Sequence, residues 1–200
     1  MKKSPRQRRL KADWAAVQKL SKESDIFSFR ASGRPPQQYR LIFDGNGVAL
    51  NRQGRVVLQQ RHEVLVELGA AYPRMIPNLT WQTPIFHPNI SVNGVVCLGG
   101  YGTHWVPSLT LDQMAIMLWD MIRYKNFDTE SPYNRDAAIW ARNPAGFTFP
   151  LDDRSIRDRT RRGGHASKSG KVMLDNGIEI ISEGIQIIEP TSNDEILFLD

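Results

Sequence analysis

Five prolines lie between residues 73 and 107, and they are the strongest constraint on the fold. Proline has no backbone N–H to donate and clashes with the preceding turn of a helix, so no long helix or strand can run through this segment. The five are Pro73, Pro77, Pro84, Pro88 and Pro107. Regular structure is therefore expected before and after them, with an irregular stretch between.

The part before the prolines predicts one helix followed by strands. Apolar residues that recur every three or four positions define the helix, and they are Leu10, Trp14, Val17 and Leu20. Four strand-like segments follow: Tyr39 to Phe43, Gly47 to Asn51, Val56 to Gln60 and His62 to Leu68. Turn-forming residues at Asp44 to Gly47 and at Arg52 to Gly54 separate them, which predicts an antiparallel four-stranded meander.

The part after the prolines predicts two helices and a tail. Leu111 to Tyr124 is apolar on most sides, which predicts a helix buried against the sheet, and Asn134 to Arg142 predicts a second helix. We therefore predict an α+β core domain over residues 1–149. A basic linker over 150–171 and an acidic, β-prone C-terminal extension over 172–200 complete the chain.

Composition narrows the function classes. A single cysteine and four scattered histidines predict neither a metal site nor a disulfide, and we expect no cofactor. The apolar runs are too short for a membrane helix, and no secretion signal stands out, so the cytoplasm is the expected location. The pI near 9.5 raises the question of whether the chain binds nucleic acid. Half of the 26 Lys and Arg residues lie in two blocks, over 1–12 and 154–171, without interleaved aromatic residues, so nucleic-acid binding is not expected.

Cys97 lies in the most informative stretch, the segment TPIFHPNISVNGVVCLGGYGTHW. A lone cysteine is most often a small buried hydrophobe. Here the surrounding glycines and prolines favour an exposed thiol instead.

At this point the sequence resembles the ubiquitin-conjugating enzyme family. The triplet His87-Pro88-Asn89 matches the family's His-Pro-Asn, and Cys97 lies eight residues after Asn89, where the family has its active-site cysteine. Trp105 lies eight residues after Cys97, as the family's tryptophan does. The segments YPRMIP, SPYNRDAA and RRLKADWAAVQKL resemble further family segments, so the likeness runs from about Arg8 to Pro144.

The resemblance implies the ubiquitin-conjugating fold and a role for each matching residue. Cys97 would be the nucleophile that carries a ubiquitin-like modifier as a thioester before transfer to an amine, with lysine as the expected acceptor. Asn89 would donate to the oxyanion or hold the loop that shapes the site. Ser131 would gate the incoming lysine, with Asp128 and Glu130 as alternatives.

The remaining matching residues would support the site or meet partners. His87, Pro88 and Trp105 would be structural supports of the site. The basic residues Arg8, Arg9 and Lys11 on the first helix would receive the activating enzyme. The implied partners are thus a ubiquitin-like modifier, an activating enzyme, and either a ligase or a direct substrate.

Some residues depart from the family pattern. Arg74 stands where many ligase-binding members have an aromatic residue, so docking to a conventional RING-type ligase is in question. The departures indicate a divergent member, such as one from a bacterial ubiquitin-like pathway. Three alternatives remain: a papain-like cysteine hydrolase acting on ubiquitin-like proteins with His104 as its base, an inactive binding variant of the fold, and a non-enzymatic basic binding protein.

Overall fold

The computed structural model describes residues 4–98 and 105–159. The predicted extension over 172–200, most of the predicted linker and His104 lie outside the described residues. None of the described helices combines the length and apolar character that crossing a membrane requires.

Helix α1, Pro5–Lys22, is the predicted first helix. Ser4 caps it, since its hydroxyl accepts from the Gln7 N–H and the Gln7 side chain accepts from the Ser4 N–H. Leu10, Val17 and Leu20 are buried on the face that packs in the core, which confirms the predicted stripe.

The four strands form one antiparallel sheet in chain order, as the predicted meander requires. They are β1 Phe27–Gly33, β2 Pro36–Leu50, β3 Val56–Glu67 and β4 Asn78–Trp81. Pairings such as Leu41 with Val64 bring buried side chains together on the face that forms the core.

The strand boundaries differ from the prediction, although the strand count is the same. The four predicted segments belong to only two strands of the structure, the long strands β2 and β3. The residues Asp44 to Gly47 form an irregularity within β2 rather than a turn. Its glycines serve close packing. A Cβ at Gly45 would lie 2.3 Å from the Trp119 ring, and one at Gly47 would lie 2.7 Å from the His62 ring.

Helices α2, Leu111–Ile122, and α3, Arg135–Arg142, follow the irregular segment, close to the predicted bounds. Helix α2 buries residues on most of its circumference against α1 and the sheet, as its composition predicts. Asn134 caps α3 by accepting from the Ala137 N–H at 3.1 Å.

Residues 151–159 pack against the core although the sequence places them in the linker. Ile156 is buried, and the Trp119 indole N–H donates to the Arg154 carbonyl at 2.9 Å. Arg157 forms ion pairs with Glu23 at the end of α1 and with Asp112 in α2. The core contacts thus extend nine residues past the predicted linker start, while the boundaries further along stay predictions.

Candidate functional site

Cys97 lies at the end of a short loop that the His87-Pro88-Asn89 triplet opens. Its backbone N–H donates to the Asn89 carbonyl at 2.9 Å, and the residue is partly exposed. Gly94 makes this return possible, because its φ is +80° and a Cβ there would lie 2.4 Å from the Trp81 carbonyl oxygen. The loop therefore requires a glycine at position 94.

The Asn89 side chain is buried and hydrogen-bonds the backbone of the segment over 126–131. Its Oδ1 accepts from the Asp128 N–H at 2.8 Å, and its Nδ2 donates to the Asp128 carbonyl at 3.1 Å. Of the two roles that the resemblance implies for Asn89, this geometry matches loop support. The amide has a second N–H, so the oxyanion role stays a prediction.

His87 is fully buried, and burial lowers its pKa to about 3, so the ring is neutral at physiological pH. Its Nδ1 accepts from the Asn89 N–H at 3.1 Å, and the ring packs 4.9 Å from the Tyr124 ring. These contacts are those of a side chain that fixes the loop.

The Pro88 carbonyl joins the triplet to the start of α3. It accepts from the N–H groups of Tyr133 and Asn134 at 2.8 and 2.9 Å. Pro88 therefore positions the segment that follows Ser131 next to the cysteine loop.

Tyr133 is the site residue that the sequence did not reveal. The negative charge of a Cys97 thiolate, and after it hydrogen bonding with that group, raise the pKa of Tyr133. The side chain is 54% exposed. The matched segment SPYNRDAA includes Tyr133, but no pattern in the sequence singled out this tyrosine.

The three candidate gate residues, Asp128, Glu130 and Ser131, lie in one loop and differ in their contacts. Asp128 accepts from the Glu130 N–H at 2.7 Å, and Glu130 pairs with Arg142 of α3 at 3.1 Å. Ser131 is exposed and immediately precedes the Pro132-Tyr133 segment. Of the three, Ser131 is nearest in sequence to Tyr133, and its gating role stays a prediction.

Trp105 connects the segment after the cysteine to the Tyr72-Pro73 loop. Its indole N–H donates to the Pro73 carbonyl at 2.9 Å, and its ring lies 5.9 Å from the Tyr72 ring. Beside this contact, Met75, Ile76 and Val106 expose apolar side chains. Trp105 thus holds two loops together.

The basic residues of α1 face different directions. Arg8 and Lys11 are exposed, but the Arg9 side chain is turned inward and only 15% exposed. Arg9 donates to Asp13 and to the Tyr72 hydroxyl, both at 2.8 Å, and to the carbonyls of Pro107 and Leu109. The expectation that Arg9 faces a partner is therefore corrected, because a buried carboxylate and two carbonyls bind its guanidinium.

The described histidines do not supply the base that a papain-like hydrolase needs. His87 is neutral and hydrogen-bonds the Asn89 backbone, and burial lowers the pKa of His62 to about 4. The His62 ring contacts Trp81 and the Gln59 carbonyl. His104, the base named for that alternative, lies outside the described residues.

Comparisons with known proteins agree on the class of protein. The family model described as "Ubiquitin-conjugating enzyme" matches residues 47–150. The "Ubiquitin-conjugating enzyme E2 16" of Schizosaccharomyces pombe is 38% identical over 74 residues, which cover 36% of this chain and 45% of that protein. The "Probable NEDD8-conjugating enzyme Ubc12-like" of Arabidopsis thaliana is 27% identical over 128 residues, which cover 64% of this chain and 59% of that protein.

A solved structure supports the fold. The structure titled "S. cerevisiae Ubc12" superposes with a TM-score of 0.55 at 19% identity, covering 84% of this chain and 85% of that one. Because the family model matches just over half of the residues, the chain belongs to the ubiquitin-conjugating enzyme family. It spans about half the length of the curated relatives it matches.

Proposed function

We propose that this chain carries a ubiquitin-like modifier as a thioester on Cys97 and transfers it to an amine, with lysine as the expected acceptor. The observation that carries the proposal is the position of Cys97, a partly exposed residue whose backbone N–H is hydrogen-bonded to the Asn89 carbonyl. This segment lies inside the part that the family model matches.

In charging, the Cys97 sulfur attacks the thioester carbonyl that joins the modifier to an activating enzyme. A new carbon–sulfur bond forms at Cys97, the old one breaks, and the activating enzyme leaves as a thiolate. A thiolate is both a good attacking group and a good leaving group, so no base needs to touch Cys97.

In transfer, the amine nitrogen attacks the thioester carbonyl on Cys97. The carbonyl oxygen becomes an oxyanion, an amide bond forms as the carbon–sulfur bond breaks, and the amine's proton goes to water. Asn89 would hold the loop over 126–131 in place during this step through its two bonds to Asp128. A donor to the oxyanion would speed the step further.

The proposed partners are the modifier, an activating enzyme, and either a ligase or a direct substrate. Exposed Arg8 and Lys11 on α1 support an encounter with an activating enzyme of complementary charge. A reducing compartment such as the cytoplasm would keep the lone cysteine as a thiol.

A charging assay tests the proposal. The full chain is incubated with activating enzyme, ATP and candidate modifiers, ubiquitin and NEDD8 among them, and gels are run with and without reductant. We expect a reductant-sensitive adduct with wild type and none with Cys97→Ala. A Cys97→Ser variant should instead form an adduct that resists reductant, because its ester is not exchanged by thiols.

The same reactions address the hydrolase alternative. Cleavage of modifier chains by wild type, lost in His104→Ala, together with no adduct, would favour the papain-like hydrolase over the proposed transferase.

A further inference from the structure

Two exposed valines lie in the hairpin that leads to Cys97. Val92 is 87% exposed and Val95 is 51% exposed. The turn that carries Val92 is closed by the Gly94 N–H, which donates to the Ser91 carbonyl at 2.9 Å. Turns are usually built from glycine, proline and small polar residues. An apolar side chain at the tip of this turn is therefore a feature that turn formation does not require.

The backbone of the same hairpin places Val95 on the side of the thiol. Val95 pairs with Thr80 of β4 and Val96 pairs with Ile90, both antiparallel, so this stretch is extended. Side chains alternate in an extended stretch, and Val96 packs against the core. Val95 and Cys97 therefore share the outer side, which agrees with the exposure of both residues. Two residues of strand span about 7 Å, which sets the distance between their Cα atoms.

The surface that these valines form has no charged neighbour in its own segment. Residues 89–98 contain no Lys, Arg, Asp or Glu. A charged group of a partner would lose water here without gaining an ion pair from this segment. An apolar side chain would instead cover apolar surface and release water. The hairpin therefore favours an apolar side chain in the position next to Cys97.

The reactant that gains most from such a surface is the acceptor. During transfer the modifier is held on Cys97 by a covalent bond, whereas the acceptor amine is held by contacts alone. Contacts next to the sulfur raise the rate by keeping this untethered reactant in place. A four-carbon stem separates the amine of a lysine from its backbone, so the residues that flank an acceptor lysine come within reach of Val92 and Val95.

We infer that Val92 and Val95 are specificity-determining residues that select acceptor lysines with an apolar neighbour. This inference rests on the proposed function, because it names the class of acceptor for the same site. In transfer the lysine nitrogen attacks the thioester carbonyl, the carbon–sulfur bond breaks as the amide forms, and the proton of the amine goes to water. The two valines contact the residue beside the lysine and take no part in these bond changes.

Two N-acetylated peptides that differ at one position test the selection. Each has a single lysine as its only amine, followed by leucine in one peptide and by glycine in the other. Charged wild type should discharge onto the leucine peptide about fourfold faster, the effect of covering about one methyl group. Val92→Thr/Val95→Thr keeps the β-branched shape at two exposed positions, so the fold should be retained. The preference of this double variant should fall below about twofold.

The matched control is Val57→Thr, which makes the same exchange at an exposed position of β3, outside the cysteine loop. It should keep the wild-type preference. Discharge onto free lysine, which has no neighbouring residue, should be equal in all three proteins. If the double variant slows discharge onto free lysine as much as onto the leucine peptide, the valines act on the modifier or on the loop, and the inference is wrong.

A second measurement does not depend on any modifier. The two peptides are made with cysteine in place of lysine and activated as mixed disulfides with thionitrobenzoate. The Cys97 sulfur, the only thiol of the chain, forms a disulfide with the peptide and releases coloured thionitrobenzoate, so absorbance gives the rate. Wild type and Val57→Thr should react about fourfold faster with the leucine peptide, and the double variant less than about twofold faster.

The outcomes separate the two proposals. If no modifier charges wild type but the valines still distinguish the disulfide peptides, the proposed function fails and the apolar contact beside the thiol stands. If wild type is charged but discharges equally onto both lysine peptides, the selection is wrong while the proposed function stands. Equal reaction of wild type with the two disulfide peptides would overturn the contact itself.

Discussion

Asn89 and Asp128 are joined by a closed pair of hydrogen bonds, in which the Asn89 side chain accepts from the Asp128 N–H at 2.8 Å and donates to its carbonyl at 3.1 Å. This pair ties the loop that opens toward Cys97 to the loop over 126–131. It gives both the N–H and the carbonyl of Asp128 a hydrogen-bond partner. The position of the second loop therefore depends in part on the Asn89 side chain, together with the contacts of Arg142 to Thr129 and Glu130.

Asn89→Ala should impair transfer more than charging. Charging is thiol exchange, whereas amine attack needs both the shaped loop and oxyanion stabilisation, and loss of one oxyanion donor typically costs about 10²- to 10³-fold in rate. Loss of the two bonds to Asp128 should also lower the free energy of unfolding by about 1–3 kcal/mol. Single-turnover discharge onto free lysine and urea unfolding measure the two effects.

Either half of that result can be contradicted separately. Discharge at the wild-type rate would remove Asn89 from the transfer step. An unchanged free energy of unfolding would show that the pair with Asp128 does not hold the loop.

Arg8→Glu/Lys11→Glu should slow charging at low salt. Both residues are exposed on α1, and steering by such charges weakens as the Debye length falls from about 10 Å at 0.1 M to about 3 Å at 1 M salt. The charging rate of this variant should therefore lie below wild type at low salt and converge with it at high salt. Equal rates at low salt would remove these residues from the encounter.

Arg9→Ala should act through stability instead. Its guanidinium binds Asp13, whose side chain is fully buried, so its removal leaves that carboxylate with fewer donors. We expect the free energy of unfolding to fall by about 2 kcal/mol. A stable Arg9→Ala protein that charges poorly only at low salt would instead return Arg9 to the partner-binding surface.

The sequence predicted the helices better than the strands. The stripe on α1 and the apolar composition of α2 are local signals, and the structure has these helices and α3 close to the predicted bounds. Strands β1 and β4 were missed, because β1 carries a polar, exposed second half and β4 has only four residues among prolines. Gly45 and Gly47 indicated a turn. In the structure their lack of a side chain allows close packing against Trp119 and His62, which are distant in sequence.

The candidate site shows the same division between local and distant information. The spacing from Asn89 to Cys97 and from Cys97 to Trp105 can be read directly from the sequence, and its resemblance to the family motif identified those residues. The inward turn of Arg9 depends on Asp13 and on carbonyls about a hundred residues away. The hydrogen bond from the Tyr133 N–H to the Pro88 carbonyl joins residues that are distant in sequence, and no local pattern reveals it.

Gly94→Ala should distort the cysteine loop. The position has φ of +80°, and the added Cβ would lie 2.4 Å from the backbone oxygen of Trp81, which cannot turn aside as a side chain can. We expect the free energy of unfolding to fall by about 2–3 kcal/mol, with slower charging.

The matched control is Gly54→Ala. Gly54 has φ of +72° but nothing within 4 Å of the added Cβ, so only backbone strain of about 1 kcal/mol is expected and charging should be normal. Equal losses of stability in the two variants would contradict the contact with Trp81.

Stability should fall in mild acid because of two buried histidines. Burial lowers the pKa of His62 to about 4 and of His87 to about 3, below the value of about 6.5 in the unfolded chain. The unfolded state therefore binds more protons below pH 6.5, so stability is full above that pH and is lost as pH falls toward the folded pKa values. Each histidine should cost about 2 kcal/mol between pH 6.5 and pH 5.

Urea unfolding at pH 7 and pH 5 measures this loss, and His62→Gln should remove about half of the pH dependence. Equal free energies of unfolding at the two pH values would show that these histidines are not held neutral in the folded chain.

The intact mass of the full chain after reaction with activating enzyme, ATP and modifier tests the central claim most directly. We predict one added modifier on wild type, with the loss of one water, which reductant removes and which is absent from Cys97→Ala. Because Cys97 is the only thiol in the sequence, the assignment does not depend on mapping. A reductant-sensitive adduct on Cys97→Ala, or none on wild type with any modifier, would contradict the account.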